Sequence, residues 1–237
     1  MRHVRVLAVG AHPDDLEILC GGTLARYAAE GHAVVMCHIA LGDRGSYVLT
    51  RSESAAVRDA EARRAAGRIG ADYLALGIPD GEVNAADQAQ RLLVIEAIRT
   101  SRPDVVIAHA PNDYMADHVE ASRLAFDCSF LATVPLLETA STSLEAVPAL
   151  FYMDTLAGNL FTPTEYVDVT DHLQAKLDMF GMHASQLEWL RDHDGVDMLE
   201  QIRAVARFRG LQCGVTFAEG FMTCNAWLRA RPQRLLP

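Results

Sequence analysis

Two short polar segments of this 237-residue chain combine the imidazole and carboxylate side chains that bind catalytic metal ions. The first contains His12, Asp14 and Asp15 and lies directly after an apolar run. The second is Asp117-His118, which follows another apolar run later in the chain. Such side chains suit a hydrolytic metal, because some of them can ligate it while a spare carboxylate handles a proton. The two segments together predict an enzyme.

A ligand set of two histidines and one aspartate would leave positions around a zinc ion open to water, as catalytic zinc sites do. Asp15 follows His12 by three positions, so a tight turn can direct both side chains to one point. His118 would complete the set. Asp14 projects differently from Asp15, and we therefore predict that it stays unligated and acts as the general base.

Strand and helix signals alternate before the second segment, which is typical of an α/β fold. Four apolar runs are predicted to be strands, and they cover residues 4–9, 33–40, 73–76 and 105–108. Helices are predicted to open at Gly21-Gly22, after a capping box of Thr50 and Glu53, and around residues 89–99. The order βαβαβαβ predicts a Rossmann-like, mostly parallel sheet with helices on both faces.

This sheet would bring the two polar segments together. In doubly wound sheets, ligands bind beyond the carboxyl ends of the strands, where the strand order reverses. With the usual order 3-2-1-4, the first and fourth strands are neighbours at that point, and one polar segment follows each of them in the chain. The predicted topology thus supplies a reason for His12 and His118 to meet.

The C-terminal part of the chain is less regular. The predicted elements there are two short strands, a long amphipathic helix that begins near Thr170, a further helix and a terminal strand, over residues 151–153, 166–169, 170–187, 198–209 and 215–222. There is no internal repeat and no low-complexity linker. We therefore expect a single domain over residues 1–237.

The composition is that of a soluble globular protein and argues against two classes of partner. Hydrophobic residues make up 50% of the chain and charged residues 22%. Acidic residues outnumber basic ones by 31 to 21, and no Lys/Arg-rich block provides the clustered cations that nucleic-acid binding needs. No signal peptide or membrane span is expected. Five scattered cysteines without a CxxC pair are typical of a reducing compartment, so we expect the cytoplasm.

The polar segments and their surroundings resemble the motifs of the PIG-L/LmbE family of zinc-dependent N-deacetylases. The resemblance depends first on His12-Pro13-Asp14-Asp15, Glu17, Gly21-Gly22 and Asp117-His118. Similar stretches follow at Leu41-Gly42-Asp43-Arg44-Gly45, at Arg58 and Glu61 with Ile69-Gly70, and, as in members of bacillithiol synthesis, at Ser185-Gln186 and 218–221. The resemblance covers nearly the whole chain, and its first motif is the most specific.

The resemblance implies that Zn²⁺, or alternatively Fe²⁺, is held by His12, Asp15 and His118, with Asp14 as the general base. The candidates for binding the substrate are Arg58, Asp80 and Asp117. The implied reaction is hydrolysis of the N-acetyl or another N-acyl group of a glucosamine-type sugar conjugate by a zinc-activated water. The substrate is then a small acylated amino sugar, and the family resemblance also implies a homo-oligomer.

One position departs from the family pattern. Many members carry a histidine three residues before the second zinc ligand, where this chain has Met115. That histidine is associated with stabilising the oxyanion or protonating the leaving amine. His109, His183 or Tyr114 could take over this part, and their spacing does not choose among them.

Three other functions are compatible with parts of the sequence. A non-haem Fe(II) oxygenase also uses two histidines and one carboxylate, but the alternating α/β pattern differs from the barrels that usually hold that triad. A nucleotide-binding domain would need a G-x-G-x-x-G turn after the first strand, which the sequence from Gly10 onward lacks. An inactive metal- or sugar-binding scaffold of the same fold is the third alternative, because of Met115.

Overall fold

One seven-stranded sheet organises the computed structural model, which describes residues 3–237. In chain order, the strands are β1 (Arg5–Gly10), β2 (Ala33–Ala40), β3 (Asp72–Ile78), β4 (Val105–Ala108), β5 (Ala149–Met153), β6 (Glu165–Asp168) and β7 (Ala218–Thr223). Their spatial order is β3-β2-β1-β4-β5-β7-β6. Strands β1 to β5 are parallel, and β7 runs antiparallel to both β5 and β6. The predicted order 3-2-1-4 and the mostly parallel sheet are confirmed.

Seven α-helices in the described part of the chain cover both faces of this sheet. They are α1 (Asp15–Ala29), α2 (Arg51–Arg68), α3 (Gln88–Ser101), α4 (Ala116–Leu131), α5 (Leu173–Gly181), α6 (Ala184–Trp189) and α7 (Met198–Cys213). A 3-10 turn (Thr170–His172) precedes α5, and a π-helical turn (Leu190–Asp194) follows α6. None of the helices within residues 3–237 has the length and apolar character that crossing a membrane requires.

The alternation of side chains along β1 divides the core into two layers. Val6 and Ala8 contribute to the core beneath α1, α2, α5 and α7, whereas Leu7 and Val9 contribute to the core beneath α3 and α4. Successive residues of a strand point to opposite faces, so a strand with helices on both sides has to be apolar at every position. Strands β4 and β5 meet this requirement, since all their residues are buried.

The start of α2 follows the predicted capping box. The Thr50 side chain accepts a hydrogen bond from the Glu53 N–H at 3.3 Å, and the Glu53 carboxylate accepts one from the Thr50 N–H at 2.9 Å. These bonds satisfy N–H groups that the first helical turn leaves unpaired. The cap therefore sets the register of the helix that carries Arg58 to the loop after β1.

The prediction of a single long helix from near Thr170 is wrong, because the helix is interrupted at two places. Residues 170–172 form a 3-10 turn, and α5 ends at Gly181 before α6 starts. At the second interruption, His183 has non-helical dihedrals (φ −87°, ψ 62°) and is fully buried, with Nε2 3.1 Å from Glu17 Oε1. This tertiary contact overrides the continuous apolar pattern. Helix α4 also has no counterpart among the predicted helices.

The Gly21-Gly22 pair does not open the first helix as predicted, because α1 begins at Asp15 and contains both glycines. The pair allows close packing instead. A Cβ on Gly22 would lie 2.9 Å from Val169 Cβ and 3.1 Å from Glu219 Oε1. The buried Glu219 carboxylate also accepts a hydrogen bond from the Gly22 N–H at 2.9 Å. A side chain at this position would therefore collide with the elements that pack on α1.

Gly22→Ala should destabilise the protein by about 1–3 kcal/mol, because the added methyl group has to displace Val169 or the Glu219 carboxylate. The matched control is Gly67→Ala in α2, where no atom beyond the adjacent residues and the helix's own backbone lies within 4 Å of the added methyl carbon. The control should be neutral or stabilising by up to about 1 kcal/mol, since alanine favours a helix more than glycine does. Urea unfolding of both variants measures the difference, and equal stabilities would contradict the packing argument.

Candidate metal centre and active site

The predicted metal ligands lie at the carboxyl ends of two neighbouring strands. His12 lies in the loop between β1 and α1, and Asp15 is the first residue of α1. His118 lies in the first turn of α4, which follows β4. Because β1 and β4 pair directly, the two segments lie side by side. The parallel topology thus produces the juxtaposition that the sequence predicts.

These three side chains approach closely enough to share one cation. Asp15 Oδ2 lies 3.6 Å from His12 Nδ1, and Asp15 Oδ1 lies 3.3 Å from His118 Nε2. One potential ligand atom from each residue lies within 4.8 Å of the other two. Asp15 and His118 are buried, whereas His12 is partly exposed. The group can therefore hold a divalent ion that is accessible from the His12 side.

The orientation of His118 fits a metal ligand. Its Nδ1 lies 3.0 Å from Asp113 Oδ2, which leaves Nε2 directed at the shared point. This Nε2 is buried and makes no hydrogen bond within the described residues. Buried polar atoms normally have a partner, and metal-ligating histidines commonly hold a carboxylate on their other ring nitrogen. The unpartnered nitrogen is thus where a cation would bind.

The His12 ring is held in a similar way. Its Nε2 lies 3.0 Å from Asp117 Oδ2, and its Nδ1 faces Asp15. Burial disfavours a charged His12 ring, but Asp117 and Asp15 outweigh this effect and raise its pKa to about 10. Burial also opposes charge on His118, whose pKa Asp15 and Asp113 raise to about 9. These carboxylates favour positive charge at the shared point, and a divalent cation would supply it in place of protons.

Asp14 lies outside this group of three ligands and has an unusual backbone conformation. It precedes α1 with φ 134° and ψ −23°, a conformation that non-glycine residues rarely adopt. Its carboxylate makes no capping bond and lies 3.1 Å from Nη2 of the buried Arg58, which also donates to the Pro13 carbonyl oxygen at 2.6 Å. Burial raises the pKa of Asp14 to about 6, although the Arg58 charge opposes this rise. Such a carboxylate can accept and release a proton near neutral pH.

Two of the predicted substrate-binding residues hold loops at the edge of the site. Asp80 accepts a hydrogen bond from the backbone N–H of Gly42 at 2.7 Å, across the loops after β3 and β2. Asp117 accepts one from the Gly81 N–H at 2.6 Å, in addition to its contact with the ligand group. The substrate contacts predicted for these two residues and for Arg58 stay predictions.

A second buried polar cluster near Asp14 is visible in the sequence only in part. Glu17, His38 and His183 are fully buried, and Glu17 Oε1 lies 3.1 Å from His183 Nε2. Glu17 Oε2 lies 3.9 Å from His38 Nε2, and burial lowers the pKa of His38 to about 4. Glu17 belongs to the first motif, and His183 is a candidate proton donor. His38 gives no such signal, because it lies inside the apolar strand β2.

His109 and Asp113 join the site from the segment after β4. The His109 ring stacks on the His118 ring at a centroid distance of 3.9 Å, and its Nε2 lies 3.0 Å from the Ala11 N and 3.2 Å from Asp15 Oδ2. Burial lowers the pKa of His109 to about 4. His109, Asp113 and His118 form a second group whose potential ligand atoms lie within 4.8 Å of one another. Asp113 has no counterpart among the predicted site residues.

The position of the missing family histidine is occupied by a side chain without a transferable proton. Met115 is half-buried before α4, and its backbone N–H donates to Asp113 Oδ1 at 3.0 Å. Among the three substitutes named from the sequence, His109 and His183 are fully buried, whereas Tyr114 is 55% exposed. Their contribution to proton transfer stays a prediction.

The chain is similar to one family model and to several curated proteins. The family model, described as GlcNAc-PI de-N-acetylase (PIG-L), matches residues 7–129. A relative from Streptomyces griseus subsp. griseus, 1D-myo-inositol 2-acetamido-2-deoxy-alpha-D-glucopyranoside deacetylase, is 33% identical over 161 residues, which cover 55% of this chain and 50% of the relative. The chain spans about half the length of the first curated relatives it matches.

Two solved structures share nearly the whole fold. N,N'-diacetylchitobiose deacetylase from Pyrococcus horikoshii superposes with a TM-score of 0.80 and 26% identity, over 92% of this chain and 83% of that protein. The 4-carboxy-2-hydroxymuconate hydratase from Pseudomonas putida superposes with a TM-score of 0.82 over 99% of this chain and 100% of that protein, at 22% identity. The second likeness shows the fold alone, because the same architecture carries many activities.

Proposed function

The chain belongs to the GlcNAc-PI de-N-acetylase (PIG-L) family, and from this premise we propose that it is a metal-dependent hydrolase that removes the N-acetyl group from a glucosamine-type sugar conjugate. The observation that carries this proposal is the convergence of His12, Asp15 and His118 on one point, with Asp14 left free beside it. The names of two relatives support the substrate class. Both the Streptomyces and the Pyrococcus proteins are named as deacetylases of N-acetylated glucosamine compounds.

The ligand set supports zinc, with iron(II) as the other ion that two histidines and a carboxylate commonly accept. Such an ion, when bound by His12, Asp15 and His118, would supply Lewis acidity to a water molecule and to the amide carbonyl. Asp113 and Asp117 would hold the two imidazoles in the orientation that binding requires, since each contacts the ring nitrogen that faces away from the shared point.

Asp14 would move the proton in both halves of the reaction. As general base, it takes a proton from the attacking water, whose oxygen forms a bond to the carbonyl carbon. The carbon–nitrogen bond then breaks, and the protonated Asp14 carboxyl returns that proton to the departing amine. Arg58 fixes the Asp14 carboxylate at 3.1 Å and keeps it from rotating towards solvent. The products are acetate and a free amino sugar.

The substrate-binding residues, the compartment and the assembly of the protein are also proposals. Arg58, Asp80 and Asp117 are proposed to contact the substrate or to hold the loops that contact it. The protein is proposed to act in the cytoplasm, which the five unpaired cysteines support. It is also proposed to form a homo-oligomer, which the family resemblance supports. An acylated amino sugar would be its small-molecule partner.

The direct test is release of an amine from acylated sugars. Zinc-loaded protein is incubated with N-acetylglucosamine conjugates, and we expect equal amounts of primary amine and acetate. A hydratase would add water without releasing either product, and a 2-oxoglutarate-dependent oxygenase would consume oxygen instead. If folded, metal-loaded protein releases no amine from any acylated sugar, the deacetylase proposal is wrong and the inactive scaffold is favoured.

A further inference from the structure

Three aromatic rings form a cluster where the loop after β2 meets the end of α6. Tyr47 lies in the loop after β2, Trp189 ends α6, and His193 lies in the π-helical turn that follows. The ring centroids of Tyr47 and Trp189 are 4.7 Å apart, and those of Trp189 and His193 are 4.4 Å apart with an interplanar angle of 16°. Here this cluster of Tyr47, Trp189 and His193 is called the aromatic rim.

The segments that carry the aromatic rim approach the residues of the candidate site. A Cβ on Gly45, two positions before Tyr47, would lie 3.7 Å from Arg58 Nη1 and 3.6 Å from Gln186 Oε1. Arg58 is the residue that contacts Asp14, and Gln186 is buried in the helix that ends at Trp189. The loop that carries Tyr47 and the helix that carries Trp189 therefore both approach Arg58, the partner of the proposed general base.

Tyr114 is a further aromatic residue near the candidate site; it is 55% exposed and directly follows Asp113 in the chain. Burial and then the negative charges of Asp113, Asp15 and Asp194 raise the pKa of Tyr114. Asp15 belongs to the metal-ligand group, and Asp194 lies beside His193 in the π-helical turn. Tyr114 thus lies within the electrostatic range of the metal-ligand group and of the turn that carries His193.

The Tyr47 ring is exposed although it packs on a helix that is hydrogen-bonded to α2. Its residue is 69% exposed, whereas Trp189 behind it is half-buried. Helix α6 is tied to α2 by Glu61, which accepts hydrogen bonds from Ser185 N at 3.0 Å and Ser185 Oγ at 2.6 Å. An aromatic ring that is held in place but left open to solvent offers a large apolar face at little entropic cost on binding.

We propose that the aromatic rim, with Tyr47 as the contact ring, is a subsite for a second saturated six-membered ring attached to the N-acetylglucosamine unit, either a pyranose or a cyclitol. Such a ring has a face of C–H groups that packs on an aromatic ring and an edge of hydroxyl groups for polar neighbours. The exposed Arg191, Asp192 and Asp194 next to the rim supply those neighbours and would disfavour a lipid chain. This inference depends on the proposed function, because it names the part of the substrate beyond the reacting sugar.

The test compares substrates with one ring and with two. We expect Tyr47→Ala to raise KM about 5- to 10-fold for N,N'-diacetylchitobiose or for the N-acetylglucosaminyl-inositol conjugate, with kcat unchanged, because the lost contact is far from the reacting bond. N-Acetylglucosamine alone should show no change in KM. Tyr47→Phe keeps the ring and should retain the parent KM. Val48→Ala, at a neighbouring residue that is 90% exposed, is the matched control and should have no effect.

A binding measurement separates this inference from the deacetylase proposal. The chain has two tryptophans, so Trp227→Phe leaves Trp189 as the only fluorescent indole. Titration with each two-ring compound should change the Trp189 emission, and the change should disappear in Tyr47→Ala; the compound that binds more tightly distinguishes a pyranose from a cyclitol. A Tyr47-dependent emission change without amine release would support the proposed subsite and contradict the proposed deacetylase activity. Amine release with equal KM changes for one-ring and two-ring substrates, or with none, would overturn the rim.

Discussion

Asp14→Asn should lower kcat for amine release by about 10²- to 10⁴-fold, because general-base catalysis contributes that much and an amide cannot accept the proton. The substitution changes almost no volume, and its side-chain oxygen can still accept a hydrogen bond from Arg58, which lies 3.1 Å from Asp14 Oδ1 in the parent protein. Asp14 is not among the grouped ligand residues, so bound metal should be retained. Steady-state kinetics and elemental analysis of the same preparation measure the two quantities together.

The control for this experiment is Asp59→Asn, an acidic residue next to Arg58 on the exposed side of α2 that pairs with Arg63 at 2.7 Å. It removes the same charge and should leave kcat within about twofold of the parent, as surface substitutions generally have small effects. Near-normal turnover of Asp14→Asn with full metal content would show that another group is the base. Loss of metal from that variant would instead show that Asp14 is a ligand.

His12→Ala should remove the metal and with it the activity, whereas His109→Gln should retain the metal. In His12→Ala, the expected loss of zinc affinity exceeds the roughly 10- to 100-fold loss that follows removal of an outer partner of a metal ligand. The comparison is informative because His118 belongs to two groups, one with His12 and Asp15 and one with His109 and Asp113. Glutamine at position 109 keeps an acceptor for the Ala11 N–H, which lies 3.0 Å from His109 Nε2.

Metal content after dialysis against buffer with limiting zinc gives the readout, and His118→Ala serves as the variant that should lose metal in either case. Circular dichroism and urea unfolding show whether each variant is folded. Retention of metal by His12→Ala together with its loss from His109→Gln would assign the ion to the second group. The roles given to His12 and Asp14 in the proposed reaction would then be wrong.

The elements that depend on local sequence could be predicted. Strand β4 matches its apolar run of residues 105–108, and α2 starts at the capping box of Thr50 and Glu53. Both signals come from residues adjacent in the chain, namely hydrophobic periodicity and side-chain caps. The elements that depend on distant contacts could not be predicted, as the break at His183 and the position of Gly21-Gly22 inside α1 show.

The same distinction between local and distant contacts applies to the candidate site. By itself, the sequence determined the residue types of the reactive group, since the His12, Asp15 and His118 motifs follow strands whose parallel order brings them together. Only the tertiary structure decided which groups contact one another around it: Asp113 contacts His118, Arg58 contacts Asp14, and the exposed ring of Tyr47 packs on Trp189. These contacts join residues from different loops and helices. Their distances follow from how the helices pack on the sheet, which no local pattern of residues encodes.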